Sequence, residues 1–177
     1  MKPTYLNNEQ IYLRAAEPED LDIMYNMENN PSFWDVSCFT VPYSRYVLKQ
    51  YIQASQSDIY ADKQLRLMII NRQDNQVVGT IDLTDFVPLH GRAGVGIAVK
   101  NEFRQQGIAR QALELLVSYS FEFLHLRQLY VYVSVKNEAS RKLFCSCGFT
   151  QTGILKDWLR VKEEYEDVFF MQLINLV

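Results

Sequence analysis

Cysteine is scarce in this chain. The three residues, Cys38, Cys145 and Cys147, are odd in number and belong to no spaced Cys/His set. Neither a disulfide framework nor a zinc site is expected, and the thiols read as reduced and mostly buried. Seven glycines and five prolines among 177 residues are too few for a collagen-like or low-complexity chain. No apolar run approaches the ~18 residues of a membrane span. Residues 1–8 lack the apolar stretch of a signal peptide, so a cytoplasmic location without a membrane partner is expected. Charge of one sign is also missing: 18 basic against 21 acidic residues give a net charge of −3, which argues against a general nucleic-acid binder. No repeat, linker or charge block divides the chain, so residues 1–177 read as one domain.

What is present is patterned. Ile11-Tyr12-Leu13-Arg14-Ala15 alternates as a short strand. Pro18, Glu19 and Asp20 suit a first helical turn. Leu21, Met24, Tyr25 and Glu28 follow on one mainly apolar face, and Asn29-Asn30-Pro31 ends that helix. A second helix is expected from after Pro42 to about residue 56, burying Val47, Leu48, Tyr51 and Ile52. Strands at 65–70 and 76–86 flank a turn cluster and read as a hairpin. A fourth strand at 93–99 contains Gly94 and Gly96, which signal a bulge or a close backbone approach. The helix at 107–124 has one polar stripe, Arg110, Gln111, Glu114, Ser118 and Glu122. The rest, Phe123 included, is expected to be buried against a sheet. A strand at 129–133, a helix at 137–147 with Gly148 just past its end, and strands at 153–160 and 165–176 complete the order βααβββαβαββ. Residues 93–135 fit a parallel crossover beside antiparallel strands, hence a mixed α/β fold.

The strongest local signal is Val99-Lys100-Asn101-Glu102-Phe103-Arg104-Gln105-Gln106-Gly107-Ile108-Ala109. A strand ends, a polar loop follows, and a long helix starts at a glycine. The open N–H groups and dipole of a helix start suit a phosphate, though a plain strand-to-helix turn explains the spacing too. Neither the Walker nor the Rossmann pattern is present. Arg-x-x-Gly-x-Ala after a glycine-containing strand resembles the acetyl-CoA loop of the GCN5-related N-acetyltransferases, the GNAT superfamily. Asn137-Glu138-Ala139-Ser140-Arg141-Lys142-Leu143-Phe144 ending in Cys147-Gly148-Phe149 resembles the Asn-x-x-Ala/Ser helix of that family. Tyr165-Glu166-Asp167, preceded by Gly153-Ile154-Leu155, resembles the subgroup of ribosomal-protein N-terminal and spermidine acetyltransferases.

The resemblance covers about residues 11–173 and implies a GNAT-like fold and acetyl-CoA as co-substrate. It places backbone groups of Ile97, Ala98 and Val99 on the pantetheine arm and acetyl carbonyl. Arg104, Gln105, Gln106, Gly107, Ile108 and Ala109 fall on the pyrophosphate, and Asn137, Ser140 and Arg141 along the outer cofactor arm. Two positions depart from the pattern. The fourth-strand Glu used by many members as base or water-holder is Gly94, and the usual Tyr general acid is Phe144, whose own reading is a core aromatic. A thiolate leaves adequately unaided, because an unperturbed thiol has a pKa of about 8.5. A missing base favours weakly basic acceptors: a peptide α-amine has a pKa of about 7.7–8.0, against about 10.4 for a lysine-like amine. Asp85 is the preferred replacement base, over Asp82 and His90. Trp34, Asp35, Phe39 and Asp82 are the candidate acceptor-binding residues. Asp35 is the one acid between Asn30 and Arg45, which disfavours a polycation. The expected function is acetyl transfer from acetyl-CoA to a primary amine of a peptide N-terminus or small molecule. Polyamine acetylation, or acyl-CoA binding with little catalysis, are the alternatives; self-association into a homo-oligomer stays open.

Overall fold

The computed structural model describes residues 5–31, 42–54 and 58–176. In chain order these form β1 (Ile11–Arg14), a 3₁₀ turn (Pro18–Asp20), α1 (Leu21–Glu28), α2 (Arg45–Ala54), α3 (Ile59–Asp62), β2 (Leu65–Asn71), β3 (Val77–Val87), β4 (Arg92–Val99), α4 (Ile108–Ser118), β5 (Gln128–Ser134), α5 (Glu138–Ser146), β6 (Thr150–Val161) and β7 (Glu164–Ile174). The strands make one sheet in the order β1-β2-β3-β4-β5-β7-β6. Every neighbouring pair is antiparallel except β4 and β5, which run parallel across the α4 crossover. This is the mixed α/β fold expected from the sequence.

Alternation along the strands sorts side chains onto two faces. Leu67, Ile69, Ile81, Leu83, Val95, Leu129 and Val131 form the main core with Ala112, Leu113 and Leu116 of α4. Met68 and Ile70 face the other way and pack with Met24 of α1 and Leu48 of α2. The chain enters α1 through a locked turn. Asp20 accepts two hydrogen bonds from the Arg14 guanidinium, at 2.6 and 3.0 Å, and one from the Glu17 amide at 2.8 Å.

Several boundaries differ from the sequence reading. The second helix begins at Arg45, where Ser44 accepts from the Val47 amide at 3.2 Å. Val47 is 45% exposed rather than buried; α2 is covered on one side, and Leu48 occupies it. A short helix at Ile59–Asp62 was not expected; the Asp58 side chain caps it, accepting from Tyr60 N at 2.9 Å. The long helix is α-helical only to Ser118 and closes in a π turn, Tyr119–Phe123, with Leu124 N bonding back to Tyr119 O at 3.1 Å. That turn rotates Phe123 out of the core, leaving it 57% exposed and stacked on Tyr119 at 5.3 Å. Cys145 is exposed, contrary to expectation, and Cys147 is half-buried; Cys38 lies outside the described residues. Gly148 ends α5 with φ +90°, as its place predicted.

The feature that positions the site is the partial pairing of β4 with β5. The two strands share three rungs, Arg92–Gln128, Ala93–Leu129 and Gly94–Tyr130. Beyond them the strands diverge, so residues 95–99 of β4 offer a backbone edge to the gap.

Candidate active site

The splay and the start of α4 lie at the same end of β4. After Val99 the chain makes a 3₁₀ turn, Asn101–Phe103, and the Arg104 side chain folds back so that its Nε donates to Val99 O at 3.1 Å. Gln105 and Gly107 both have left-handed backbones, φ +60° and +76°. Gln111 N is the amide that bonds Gly107 O, at 3.1 Å. The amides of Gly107, Ile108 and Ala109 therefore have no acceptor inside the helix. Ile108 is buried and anchors the helix start, while Arg104, Gln105, Gln106 and Gly107 face solvent. A Cβ on Gly107 would meet only Gln111 Nε2, at 3.9 Å, so open space lies in front of these amides. That space, the open N–H groups and the helix dipole fit a diphosphate.

At the other wall, Asn137 caps α5: its Oδ1 accepts from Ser140 N at 3.0 Å. Arg141 donates twice to Glu138, at 3.0 and 2.9 Å. These residues follow the end of β5 beside the gap. Phe144 is 1% exposed and packs edge-on against Phe149 at 5.1 Å. It is a core aromatic and carries no proton.

The face opposite α4 carries the other residues that flank the splay. Gly94, paired with Tyr130, is where the family resemblance places a Glu. A Cβ there would lie 2.7 Å from Thr84 Oγ1 and 3.3 Å from the Tyr130 ring. A side chain there would require Thr84 to move aside and would press on the Tyr130 ring. Burial, followed by the nearby Asp85 charge, pushes the Tyr130 phenol pKa up. Asp85 itself is exposed at the bulge between Thr84 and Val87, with φ +46°. Asp85 thus carries its charge close to Tyr130, the residue paired with Gly94. His90 stands apart and exposed in the β3–β4 connection.

Asp82 is not a solvated strand residue. It sits opposite Arg66 in the β2–β3 ladder, and the guanidinium donates to both of its oxygens at 2.9 Å. The same Arg66 forms an ion pair with Glu28 of α1. Burial opposes the charge on Arg66, but Asp82 and Glu28 outweigh it and hold its pKa above the ordinary value. Burial pushes the Glu28 carboxyl up, with Arg66 acting against it. On the far side of Tyr130 the same face is aromatic. Tyr130, Tyr132 and Phe170 are mutually 5.3–5.7 Å apart, and Trp158 stacks on Tyr132 at 5.7 Å. A bulge in β6 presents Trp158. Asp167 braces that bulge by accepting from Lys156 Nζ at 2.6 Å and Asp157 N at 3.0 Å.

Trp34, Asp35 and Phe39 lie outside the described residues. The sequence reading missed Arg66, Glu28, Tyr130 and the aromatic row. A signal for the first existed: Arg66 is the lone charge in Leu65-Arg66-Leu67-Met68-Ile69-Ile70, and a charge on a buried strand needs a buried partner. Among the described residues no helix is long and apolar enough to cross a membrane, and no Asp/Glu/His/Cys group could hold a metal.

Residues 10–150 match the family model described as an acetyltransferase (GNAT) domain, and the chain belongs to that family. It is therefore an acetyl-CoA-dependent N-acetyltransferase acting on an amine. Among its relatives is the spermidine N(1)-acetyltransferase of Vibrio cholerae, 28% identical over 171 residues that make up 95% of each chain. The crystal structure of spermidine N-acetyltransferase from Vibrio cholerae in complex with CoA and spermine superposes with a TM-score of 0.83. It is 28% identical, and the match covers 94% of this chain and 96% of that one. A dodecameric structure of the same enzyme gives a TM-score of 0.79 at 29% identity, over 94% and 95% of the two chains.

Proposed function

We propose that the acceptor is a primary amine of low positive charge, such as a peptide N-terminus or a small monoamine. One observation carries this reading: beside the splay, the acceptor face offers aromatic rings, while the carboxylates of Glu28 and Asp82 are already held by Arg66. Stacked rings suit an apolar or peptide-like body. A polycation would have to desolvate charges with little there to pair them.

When bound, acetyl-CoA supplies a thioester whose carbonyl carbon a neutral amine attacks, releasing the CoA thiol. The backbone of Ile97, Ala98 and Val99 lines the pantetheine path and polarises the acyl oxygen. Arg104 through Ala109 bind the diphosphate, and Asn137, Ser140 and Arg141 border the outer arm. Asp85, whose charge lies near Tyr130, takes the acceptor's proton; Phe144 shapes the site without proton transfer. Trp34, Asp35 and Phe39 complete the acceptor lining. The proposal includes one catalytic domain over residues 1–177, a cytoplasmic location and assembly into a homo-oligomer, the last supported by the dodecameric relative.

Spermidine as acceptor is the second reading, favoured by the relatives' activity. An amine panel with acetyl-CoA, followed by free-thiol release, separates the two. Expected is a higher kcat/KM at pH 7.5 for a Ser- or Ala-leading peptide or a monoamine than for spermidine. The gap should narrow toward pH 9.5 as the polyamine deprotonates. A spermidine preference at pH 7.5 overturns the reading.

A further inference from the structure

Arg66 occupies an unusual place for a strand residue. It points to the α1 side of the sheet, alongside Met68 and Ile70, where its neighbours are apolar and buried. Its side chain is only 18% exposed. The guanidinium is shared by two acids from different elements: a two-pronged contact to Asp82 on β3, both bonds 2.9 Å, and an ion pair to Glu28 on α1. Two carboxylates and one guanidinium leave the cluster at formal charge −1. The cluster is not remote from the chemistry. Asp82 is the ladder partner of Gly96, and a Cβ on Gly96 would come within 3.7 Å of Asp82 Oδ2. Gly96 immediately precedes Ile97, where β4 has already left β5. Gly96 itself puts no side chain between the carboxylate of Asp82 and the splay.

We infer that Arg66 is an acceptor-specificity determinant: a tethered cation that fills the subsite a second ammonium of a diamine would otherwise take. This rests on the acceptor reading given above. The physical argument is competition. A free ammonium must displace a guanidinium that is covalently held at the site, planar, and bonded to both oxygens of Asp82 at once. Such a group is present at an effective concentration no dissolved amine reaches. Without Arg66, the cluster would carry formal charge −2 in a half-buried setting, where it must take up a proton or a cation. A diamine whose first nitrogen lies at the splay offers that cation.

The test compares putrescine with butylamine, which share a four-carbon chain and differ in the second ammonium. Within each protein, the ratio of kcat/KM for putrescine to that for butylamine is measured at pH 7.5. Arg66→Gln should raise this ratio at least about tenfold over wild type, about 1.4 kcal/mol. Arg66→Lys, which keeps the tethered charge but not the two-pronged contact, should raise it less than Arg66→Gln does, and adding Asp82→Asn to Arg66→Gln should abolish the gain. A folded Arg66→Gln with an unchanged ratio overturns the inference. Should Arg66→Gln be too unstable to assay, its melting temperature should rise with putrescine and not with butylamine, and by more than that of wild type; no such difference also overturns it. Because the readout is a change in ratio, it stands apart from the amine panel: whichever class of acceptor wild type prefers, the ratio still reports whether Arg66 sets the discrimination.

Discussion

Gly79→Ala tests whether the backbone of β4 at the splay is the catalytic surface. Gly79 lies in β3 opposite Val99, one rung from Ala98. A Cβ there would sit 2.3 Å from Ala98 O, 3.1 Å from Val99 Cα and 3.3 Å from the Ala98 carbonyl carbon. All three are backbone atoms, so no rotamer change relieves the clash. Gly79 does not need a left-handed backbone, so strain in φ is not the issue. The strands must move apart until the first contact reaches at least 3.0 Å, a shift of 3.0 − 2.3, or about 0.7 Å. Overpacking of this kind costs roughly 1–3 kcal/mol of stability. Its larger effect should be on the reaction, since a misplacement of about 1 Å can cost on the order of 100-fold. We expect kcat/KM for acetyl transfer to fall at least about tenfold, by steady-state thiol-release kinetics, in a protein that still melts cooperatively. Gly153→Ala is the control: a Cβ there meets nothing within 4 Å, so rate and stability should stay within about 0.5 kcal/mol. If Gly79→Ala lost stability yet kept kcat/KM within about twofold, the backbone of Ala98 and Val99 would not be the surface that positions the acyl group.

Two further outcomes follow from other parts of the structure. Gly107→Val places a branched side chain in the open space before the α4 amides, on a backbone with φ +76°. CoA affinity by calorimetry should drop at least about tenfold, about 1.4 kcal/mol, and an unchanged dissociation constant would remove the loop from the cofactor site. Asp20 is held below the ordinary carboxylate range: burial works against its charge, but Arg14 and the Glu17 amide outweigh it. A lowered folded-state pKa gives stability that is present above the unfolded value, about 4, and lost as pH falls through the folded value. Asp20→Asn should therefore cost roughly 1–3 kcal/mol at pH 7, with a difference from wild type that shrinks in urea melts below about pH 4. A constant difference across that range would show that the charge of Asp20 is not what matters.

Local pattern carried much of this protein. The turn glycines, the polar stripe of α4, the alternating strands and the Asn137 cap are near-neighbour effects. Each is set by residues within a turn or a ladder rung, which is why the order of elements and the Arg104–Ala109 loop were legible in the chain alone. The π turn at Tyr119–Phe123 and the α3 helix escaped, because neither has a periodic signature and each depends on what packs around it. The acceptor face was the least legible. Arg66, Glu28 and Asp82 are 16 or more positions apart in the chain, and only the β2–β3 register and the docking of α1 bring their charges together. The same holds for Gly94. In the sequence it is a missing carboxylate; in the folded chain Thr84 from one neighbouring strand and Tyr130 from the other crowd the position, and the Asp85 charge acts on Tyr130 there. Sequence by itself determined the family and the order of elements with its parallel crossover, since these rest on local motifs and periodicity. Which charges remain available to an acceptor was decided by strand register and splay, because electrostatic pairing depends on distance through space and not along the chain.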